Sequence, residues 1–305
     1  MRRPSPLPEG IDPTAFGVAE AQRLGVSRGR TRSASLTTPY HGVRTAGPVT
    51  STLERAIAYA RWMAPTQFFS HLTAAELSGL RLPDGFRAGH LHVSSAPPAR
   101  APRSRGVIGH QTSPLFALGA AFNLPVSSAV DTWLMLGSSL SVDDLTVMGD
   151  GLVSRRRPTT DVNGLAEALA RAVGRRGLGR LTAALQQIRP NTDSARETLL
   201  RLTVMRAGLP EPEVNGAITN SFGAVVAHGD LVYRDYRTIL EYDGGHHRED
   251  ERQFNIDVDR LDQLMEEEWR VIRVNKNLLL RGATLIGKVE TALVRGGWTP
   301  SPKVT

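Results

Sequence analysis

The stretch His228-Gly-Asp-Leu-Val-Tyr-Arg-Asp-Tyr-Arg-Thr-Ile-Leu-Glu-Tyr-Asp-Gly-Gly-His-His247 predicts a β-hairpin that presents acidic side chains. One run of β-prone residues opens at Asp230, a turn-prone pair follows, and a second run ends at Glu241 and Asp243. Because side chains alternate in direction along a strand, Glu241 and Asp243 are predicted to share one face, together with Ile239. Pairing of the two runs would bring acids that are distant in sequence to one site.

Acidic side chains on rigid strands are suited to hold a hard divalent cation. Mg²⁺ or Mn²⁺ takes oxygen ligands, and one or two carboxylates suffice beside a phosphate when waters complete the coordination. A nearby histidine such as His247, with the near-neutral pKa typical of imidazole, can accept a proton from metal-bound water. The pattern therefore predicts metal-dependent phosphodiester hydrolysis. The simpler interpretation, a set of solvated acids at a turn, stays open.

Further motifs follow in a fixed order along residues 193–297. They are Glu197 within Ser194-Ala-Arg-Glu-Thr-Leu-Leu-Arg-Leu202, Gly208-Leu-Pro-Glu-Pro-Glu-Val-Asn215, Asp230, Glu241-Tyr-Asp-Gly244, His247, Asp257-Val-Asp-Arg260 and Trp269-Arg-Val-Ile-Arg-Val274. In this order they resemble the "domain of unknown function 559" family. That family is related to the very-short-patch mismatch-repair endonucleases, within the PD-(D/E)xK nuclease superfamily.

The resemblance implies a role for each matched residue. It makes Asp230 the principal metal ligand and Glu241 the acidic residue of the (D/E)xK position. Asp243 is expected to complete the metal shell. His247 corresponds to the catalytic histidine of the repair endonucleases, and Glu197 to the acidic residue on the helix that precedes the sheet.

One position departs from the superfamily pattern. Asp243 stands where the pattern has a lysine, and a carboxylate cannot supply the positive charge that orients the attacking water. Either His247 or Arg260, which would lie near the scissile phosphate, substitutes for the lysine, or hydrolysis is weak or lost. Two structural alternatives also stay open: Glu197 completes a capping box with Ser194, and Arg260 forms only an ion pair on its helix.

The composition excludes several classes of protein. The chain has 305 residues, of which 40% are hydrophobic and 22% charged, as in a globular protein of two or three domains. Since there is no cysteine, disulfides and thiolate zinc sites are excluded. No apolar run approaches the ~20 residues that cross a bilayer, and the first residues lack the apolar core of a signal peptide. Cytoplasmic localisation without membrane association is expected.

The positive charge is unevenly distributed. Residues 191–305 contain 15 Lys and Arg against 18 Asp and Glu, so the net charge of +7 comes from residues 1–190. Arginine suits bidentate phosphate contacts. However, only three of the 37 cations are lysine, and so strong a bias is more consistent with genomic base composition. The basic surplus is therefore weak support for DNA binding.

Residues 1–48 predict a small DNA-binding module. A helix is expected over residues 13–24, Ser27 caps a second helix rich in arginine, and a β-prone run covers residues 40–45. This order is typical of a winged helix-turn-helix, whose second helix lies in the major groove. It resembles the N-terminal domain of the AbiEi-type abortive-infection antitoxin family. The alternative is a small helical cap that packs on the next domain and binds nothing.

Residues 49–190 are predicted to form a mainly helical domain. Two amphipathic helices, two short strands and three or four further helices are expected in that order, with Ser70 capping the second helix. His71 is interpreted as a helix-surface or interface residue, because no nucleophile elbow or third catalytic partner accompanies Ser70. Nucleotide binding is not expected, since the glycine pattern that cradles phosphates does not occur.

These observations together predict an α/β (α+β) protein of three domains. A winged-helix-like module (1–48) and a mainly helical domain (49–190) precede a restriction-endonuclease-like domain (191–305), whose mixed sheet is flanked by helices. The predicted function is DNA cleavage dependent on Mg²⁺ or Mn²⁺, in repair or phage defence. A homodimer is one expected arrangement, because a single site needs a second copy to cut both strands. The alternative is a DNA-binding transcriptional regulator or type IV antitoxin-like protein whose nuclease fold is inactive.

Overall fold

The computed structural model describes residues 6–84, 86, 89–112, 116–220, 222–244 and 262–300. Within these residues the protein contains helices and three sheets, which confirms the predicted α/β class. The backbone divides into two compact units: residues 1–141 with 167–181 form unit 1, and residues 142–166 with 182–305 form unit 2. This division differs from the three domains predicted from the sequence, whose boundaries stay a prediction.

The N-terminal segment of unit 1 holds two short helices between two very short strands. The strands β1 (Phe16–Gly17) and β2 (Val43–Arg44) pair antiparallel, and α1 (Val18–Arg23) and α2 (Arg28–Thr31) lie between them in sequence. Ser27 caps α2 as predicted, because its Oγ accepts a hydrogen bond from a backbone N–H of that helix at 3.1 Å. The first helix is shorter than predicted, since its expected N-terminal part is extended and pairs with β2.

A five-stranded mixed sheet lies in unit 1, in the order β5-β4-β3-β7-β6. Its strands are β3 (Gln67–Phe69), β4 (Leu91–Ser95), β5 (Val107–Gln111), β6 (Leu118–Ala121) and β7 (Leu124–Ser127). The neighbours β5–β4 and β3–β7 are parallel, whereas β4–β3 and β7–β6 are antiparallel. The prediction of a mainly helical region missed β3, β6 and β7, because strands of three or four residues are too short to show an alternating pattern.

The helices of unit 1 pack on this sheet and on one another. They are α3 (Thr52–Ala60), α4 (His71–Leu77) and α5 (Ala129–Leu136), while α7 (Val162–Arg171) and α8 (Leu178–Gln187) are divided between the units. Buried side chains of α3, α4 and the strands form one core, including Tyr59, Ala74, Phe69, Val93 and Val126. This core fixes the N-terminus of α4 beside β4.

A four-stranded mixed sheet forms the centre of unit 2, in the order β11-β10-β9-β8. Its strands are β8 (Glu213–Thr219), β9 (Val225–Tyr233), β10 (Thr238–Tyr242) and β11 (Arg270–Val274). The first three are antiparallel neighbours, and β11 is parallel to β10. The predicted hairpin is confirmed, because a 3-10 turn (Arg234–Tyr236) joins β9 to β10.

Helices flank this sheet, and each face has its own core. The helices of unit 2 are α6 (Val142–Leu152), α9 (Ala195–Arg206), α10 (residues 262–266), α11 (Lys276–Leu280) and α12 (Gly282–Arg295). On one face, Leu231 and Leu240 pack with residues of α9, α11 and α12. On the other, Val232 and Ile239 pack with Leu264 of α10. Among the described helices, none has the length and apolar character needed to cross a membrane.

A buried ion pair joins α6 to α9 inside unit 2. Arg201 Nη2 donates a hydrogen bond to Asp150 Oδ2 at 2.8 Å, and both side chains are fully buried. Asp150 also accepts hydrogen bonds from the Thr198 hydroxyl and the Arg189 N–H, each at 2.8 Å. Burial raises the pKa of Asp150, and the charge of Arg201 opposes that shift. The helix that leads into the sheet is therefore held by charges without access to water.

Candidate functional site

The hairpin places Asp230 and Glu241 side by side. The last paired residues of β9 and β10 are Leu231 and Leu240, so Asp230 and Glu241 are the next residues along the two strands. Residues at equivalent positions of an antiparallel pair carry their side chains on the same face. Both carboxylates are half-buried. We call Asp230 and Glu241 the acidic row.

A backbone hydrogen bond fixes the first member of the acidic row. Asp230 Oδ2 accepts a hydrogen bond from the Tyr242 N–H at 2.7 Å. The carboxylate thus binds a backbone donor on the neighbouring strand, immediately after Glu241. This contact orients the Asp230 side chain toward β10 at the point where the paired segment ends.

The acidic row lies on the face of the sheet that packs against α10. Ile239, which precedes Glu241 by two residues, is buried in the core beneath α10. Leu240 and Tyr242 belong to the core of the opposite face. The prediction that Ile239 and Glu241 share a face is confirmed. The alternation therefore turns the acidic row to the side of α10, beyond the apolar part of that face.

The edge strand β11 adds positive charge next to the acidic row. Glu241 pairs in register with Arg273, which is exposed. Arg273 also lines an open groove of about 610 Å³ along the edge, together with Arg270 and Lys288. No role for Arg273 could be predicted from the sequence, because only the parallel pairing of β10 with β11 reveals its position. Its place in the motif Trp269–Val274 was the available signal.

Glu197 is buried at the N-terminus of α9 and takes part in a helix cap. Its Oε2 accepts hydrogen bonds from the Asp193 N–H at 2.8 Å and from Asn215 Nδ2 at 3.2 Å. Its own N–H donates to Ser194 Oγ at 3.2 Å. These contacts favour the capping interpretation of Glu197. A contact of this residue with metal or water stays a prediction.

Of the remaining predicted site residues, only Asp243 is among those that the structure describes. Asp243 lies just past β10, is exposed, and donates its N–H to the Val274 carbonyl oxygen at 2.9 Å. His247 and Arg260 lie outside the described residues, as do their neighbours His246 and Asp257. The described part of the site therefore consists of the acidic row, Asp243 and Arg273.

A second group of residues, in unit 1, was missed by the sequence analysis. In the part of the chain that the structure describes, His71, His92 and His110 are the one set of three potential metal ligands whose ligand atoms all lie within 4.8 Å of one another. We call them the histidine cluster. Of the two predicted positions for His71, helix surface or interface, the structure favours the interface, because its ring stacks on that of His110 with centroids 3.9 Å apart. Asp230 and Glu241 do not belong to such a set.

The surroundings of the histidine cluster favour neutral rings. Burial, reinforced by His110 and His92, lowers the pKa of His71 to about 3. Burial and the neighbouring His110 lower the pKa of His92 to about 4, and burial also lowers the pKa of His110. At neutral pH each ring therefore keeps a nitrogen lone pair. Neutral imidazole is the form that ligates metal ions.

The comparisons with known proteins add no relative to this picture. A scan against models of protein families gives no match to the chain, and a search of curated proteins gives none either. The assignment of function therefore depends on the motif order in the sequence and on the geometry of the site.

Proposed function

We propose that the protein is a metal-dependent DNA endonuclease in which the acidic row, Asp230 and Glu241, holds Mg²⁺ or Mn²⁺. The observation that carries the proposal is the position of these two carboxylates on neighbouring strands, on one face, directly after the last paired residues. Two adjacent carboxylates form the hard oxygen donor set that Mg²⁺ prefers. The Tyr242 N–H holds the Asp230 side chain in place before any ion arrives.

Hydrolysis of a phosphodiester forms a bond from a water oxygen to phosphorus and breaks the bond to a deoxyribose oxygen, which leaves with a proton. The acidic row would hold the ion, and the chemistry that the ion would supply is a more acidic water and neutralisation of charge on the phosphate. His247 is the residue proposed to accept the proton of the attacking water, as the family resemblance implies.

Arg273 is the described residue best placed to supply the positive charge that Asp243 lacks. It lies in register beside Glu241 on β11, so its guanidinium belongs to the same face as the acidic row. A fixed cation at this position would stabilise the charge that develops on the phosphate. With Arg270 and Lys288 it also gives the edge groove a basic lining suited to a DNA backbone.

The topology of unit 2 supports the resemblance to the "domain of unknown function 559" family. Along the chain, α9 is followed by three antiparallel strands, then by α10 and the parallel strand β11. This is a mixed sheet flanked by helices, as expected for a restriction-endonuclease-like domain. The capped helix α2 in the N-terminal segment is compatible with the proposed winged-helix module, although it comprises only Arg28–Thr31.

Cleavage of supercoiled plasmid DNA tests the proposal. The wild-type protein is expected to nick the plasmid with Mg²⁺ or Mn²⁺ and to be inactive with EDTA. Asp230→Asn and Glu241→Gln should each lower the rate by at least about 100-fold, because the metal contributes several kcal/mol to the transition state. Asp235→Asn, in the turn of the same hairpin, is the matched control and should cut normally. Equal rates for all four proteins would contradict the proposal.

A second function is favoured by the aspartate at the lysine position and by the capping contacts of Glu197. In this case the protein is a DNA-binding regulator with an inactive nuclease fold. It would shift DNA in a gel at low salt without metal-dependent cutting, and Asp230→Asn would bind as well as the wild type. The product also bears on a homodimer: single nicks fit one site acting alone, whereas direct linearisation requires two sites.

A further inference from the structure

Backbone hydrogen bonds assemble the histidine cluster from three elements of unit 1. The parallel strands β4 and β5 pair His92 with Ile108, so His110 lies two residues further along the neighbouring strand. At the start of α4, the Ser70 N–H donates to the His92 carbonyl oxygen at 3.0 Å. The His92 N–H in turn donates to Thr73 Oγ1 at 2.8 Å. This double anchor places His71, which follows Ser70, against the strands.

The nitrogen atoms of the cluster have nearly the spacing of a metal site. A tetrahedral ion with metal–nitrogen bonds of about 2.0–2.1 Å separates its ligand atoms by about 3.3 Å. A hydrogen bond of 3.0 Å joins His92 Nδ1 to His110 Nε2. Each of the three rings has a nitrogen that lies within 4.8 Å of a nitrogen of the other two. The ring centroids of His71 and His92 are 5.7 Å apart. Because the ring of His71 is stacked on that of His110 at an interplanar angle of 20°, binding of one ion by all three nitrogens requires the His71 ring to turn out of this stack.

Buried hydroxyl groups orient the third ligand. Ser70 Oγ lies 3.0 Å from His71 Nδ1 and accepts a hydrogen bond from Ser94 Oγ at 2.7 Å. Both serines are fully buried. Although Ser70 is the N-cap residue of α4, its side chain makes no cap hydrogen bond, so the predicted capping role is wrong. The hydroxyl instead engages Nδ1 and leaves Nε2 of His71 for an ion, as second-shell groups do in metal sites.

The cluster opens on one side into a cavity of about 280 Å³. Its lining includes His71, His110, Arg175 and Arg176. Three protein ligands with one open position are the arrangement by which zinc proteins bind a water or a further ligand. Two guanidinium groups at the opening favour an anion there, since its charge would offset those of the ion and the arginines.

We propose that His71, His92 and His110 bind one divalent transition-metal ion of the zinc class, whose fourth ligand is a small oxygen anion received by Arg175 and Arg176. Nitrogen ligands suit this class of ion, whereas Mg²⁺ prefers oxygen. The site belongs to unit 1 and does not rest on the nuclease activity proposed for unit 2.

The first test measures zinc binding to the untagged full-length protein after treatment with a chelator. Isothermal titration is expected to show one equivalent of zinc, and Co²⁺ should give the visible absorption of a tetrahedral site. His110→Asn should weaken zinc binding by more than about 100-fold. His41→Asn, an exposed histidine of the same unit, is the matched control and should bind normally. No binding to the wild type, or an equivalent that survives His110→Asn at unchanged affinity, would overturn the proposal.

Two further measurements keep the result clear if His110→Asn does not fold. In the wild type, zinc should shift the ring ¹⁵N resonances of His71, His92 and His110 together and leave that of His41 unchanged. Ser70→Ala should retain the fold and weaken zinc binding by about 10–100-fold, because Ser70 positions His71. Ser78→Ala, at the exposed end of α4, is its control. Ring shifts confined to other histidines would count against the site.

Inorganic phosphate probes the fourth ligand. If the anion binds next to the ion, phosphate should tighten zinc binding and zinc should tighten phosphate binding by the same factor. Arg175→Gln should abolish this coupling, whereas Arg100→Gln, in an exposed loop of unit 1, should preserve it. Zinc binding without any effect of phosphate would overturn the anion part of the proposal.

Discussion

The histidine cluster of unit 1 and the acidic row of unit 2 present metal-binding atoms in opposite ways. The acidic row consists of two oxygen donors on adjacent strands, eleven residues apart in sequence and half-buried. The histidine cluster consists of three nitrogen donors from a helix and two strands, and its stacked rings are half-buried, as the acidic row is.

This difference in donor atoms would allow one chain to bind two kinds of metal ion at separate sites. Oxygen donors near solvent suit Mg²⁺, which keeps part of its water shell and is shared with phosphates. Neutral nitrogen donors suit zinc-class ions, which replace most of their waters with protein ligands. Each site therefore selects its ion by donor type, and the two should respond independently to removal of one metal.

The largest expected effect is that a substitution in either site abolishes the activity of that site and leaves the activity of the other site intact. Asp230→Asn should lose at least about 100-fold of the cleavage rate and still bind one zinc ion. His110→Asn should lose zinc binding and cleave within about two-fold of the wild type. Plasmid nicking and zinc titration on both variants provide the measurement. Loss of both activities in either variant, with the fold intact by circular dichroism, would show that the two sites are not independent.

The next largest effect is on the free energy of unfolding, and it compares the buried ion pair of unit 2 with the neutral rings of unit 1. Arg201→Met leaves Asp150 without its ionic partner, and breaking such a pair costs about 3–5 kcal/mol of the free energy of unfolding. His110→Asn, which removes a neutral ring, should cost less. Arg206→Met on the same helix is the control, because its pair with Asp143 is more exposed and contributes at most about 1 kcal/mol. Urea unfolding of the three variants measures the order, and equal losses for Arg201→Met and Arg206→Met would contradict it.

A smaller effect on the cleavage rate tests whether Arg273 acts together with the acidic row. Arg273→Gln should lower the cleavage rate about 10-fold, as expected for one charged contact to the phosphate. Arg273→Lys should recover part of the rate, and the urea midpoint should stay that of the wild type. Arg295→Gln, an exposed arginine at the end of α12, is the control. An unchanged rate in Arg273→Gln at both low and high salt would remove Arg273 from the site.

The smallest effect concerns Glu54, a carboxylate with a purely structural role for comparison with the acidic row. Hydrogen bonds from the backbone of Ser51 and Thr50 lower the pKa of Glu54 from 4.5 to about 2. Because the pKa is lower in the folded state, the ionised form stabilises the protein above pH 4.5, and this contribution disappears as the pH falls toward 2.

Glu54→Gln should therefore lower the melting temperature at pH 7 by a margin that shrinks steadily between pH 4.5 and pH 2. Thermal unfolding of both proteins across this range provides the measurement. Cleavage by Glu54→Gln should equal that of the wild type. A difference that is constant with pH would show that the charge of Glu54 does not matter.

Local patterns made much of unit 2 predictable from the sequence. Ser194 caps α9 as expected, because its side chain accepts a hydrogen bond from the Glu197 N–H. The hairpin followed from two β-prone runs around a turn. In each case the signal lay within about a dozen consecutive residues, where periodicity and caps act.

The histidine cluster could not be predicted in the same way. His71, His92 and His110 meet only because α4 is anchored on β4 and because β4 pairs in parallel with β5. The register between parallel strands joined by a long connection is set by tertiary packing and leaves no local pattern. The position of Arg273 beside Glu241 was hidden for the same reason, since β10 and β11 are also parallel.

The strand β5 lies at the edge of its sheet and is paired there with β4. An ion bound by both His110 and His71 would also link this strand to the start of α4. It would thereby reduce local unfolding of the edge strand, which is paired on one side only. Amide exchange over residues 107–111 would then slow with each increment of free zinc. The local stability of β5 would therefore depend on the concentration of free zinc.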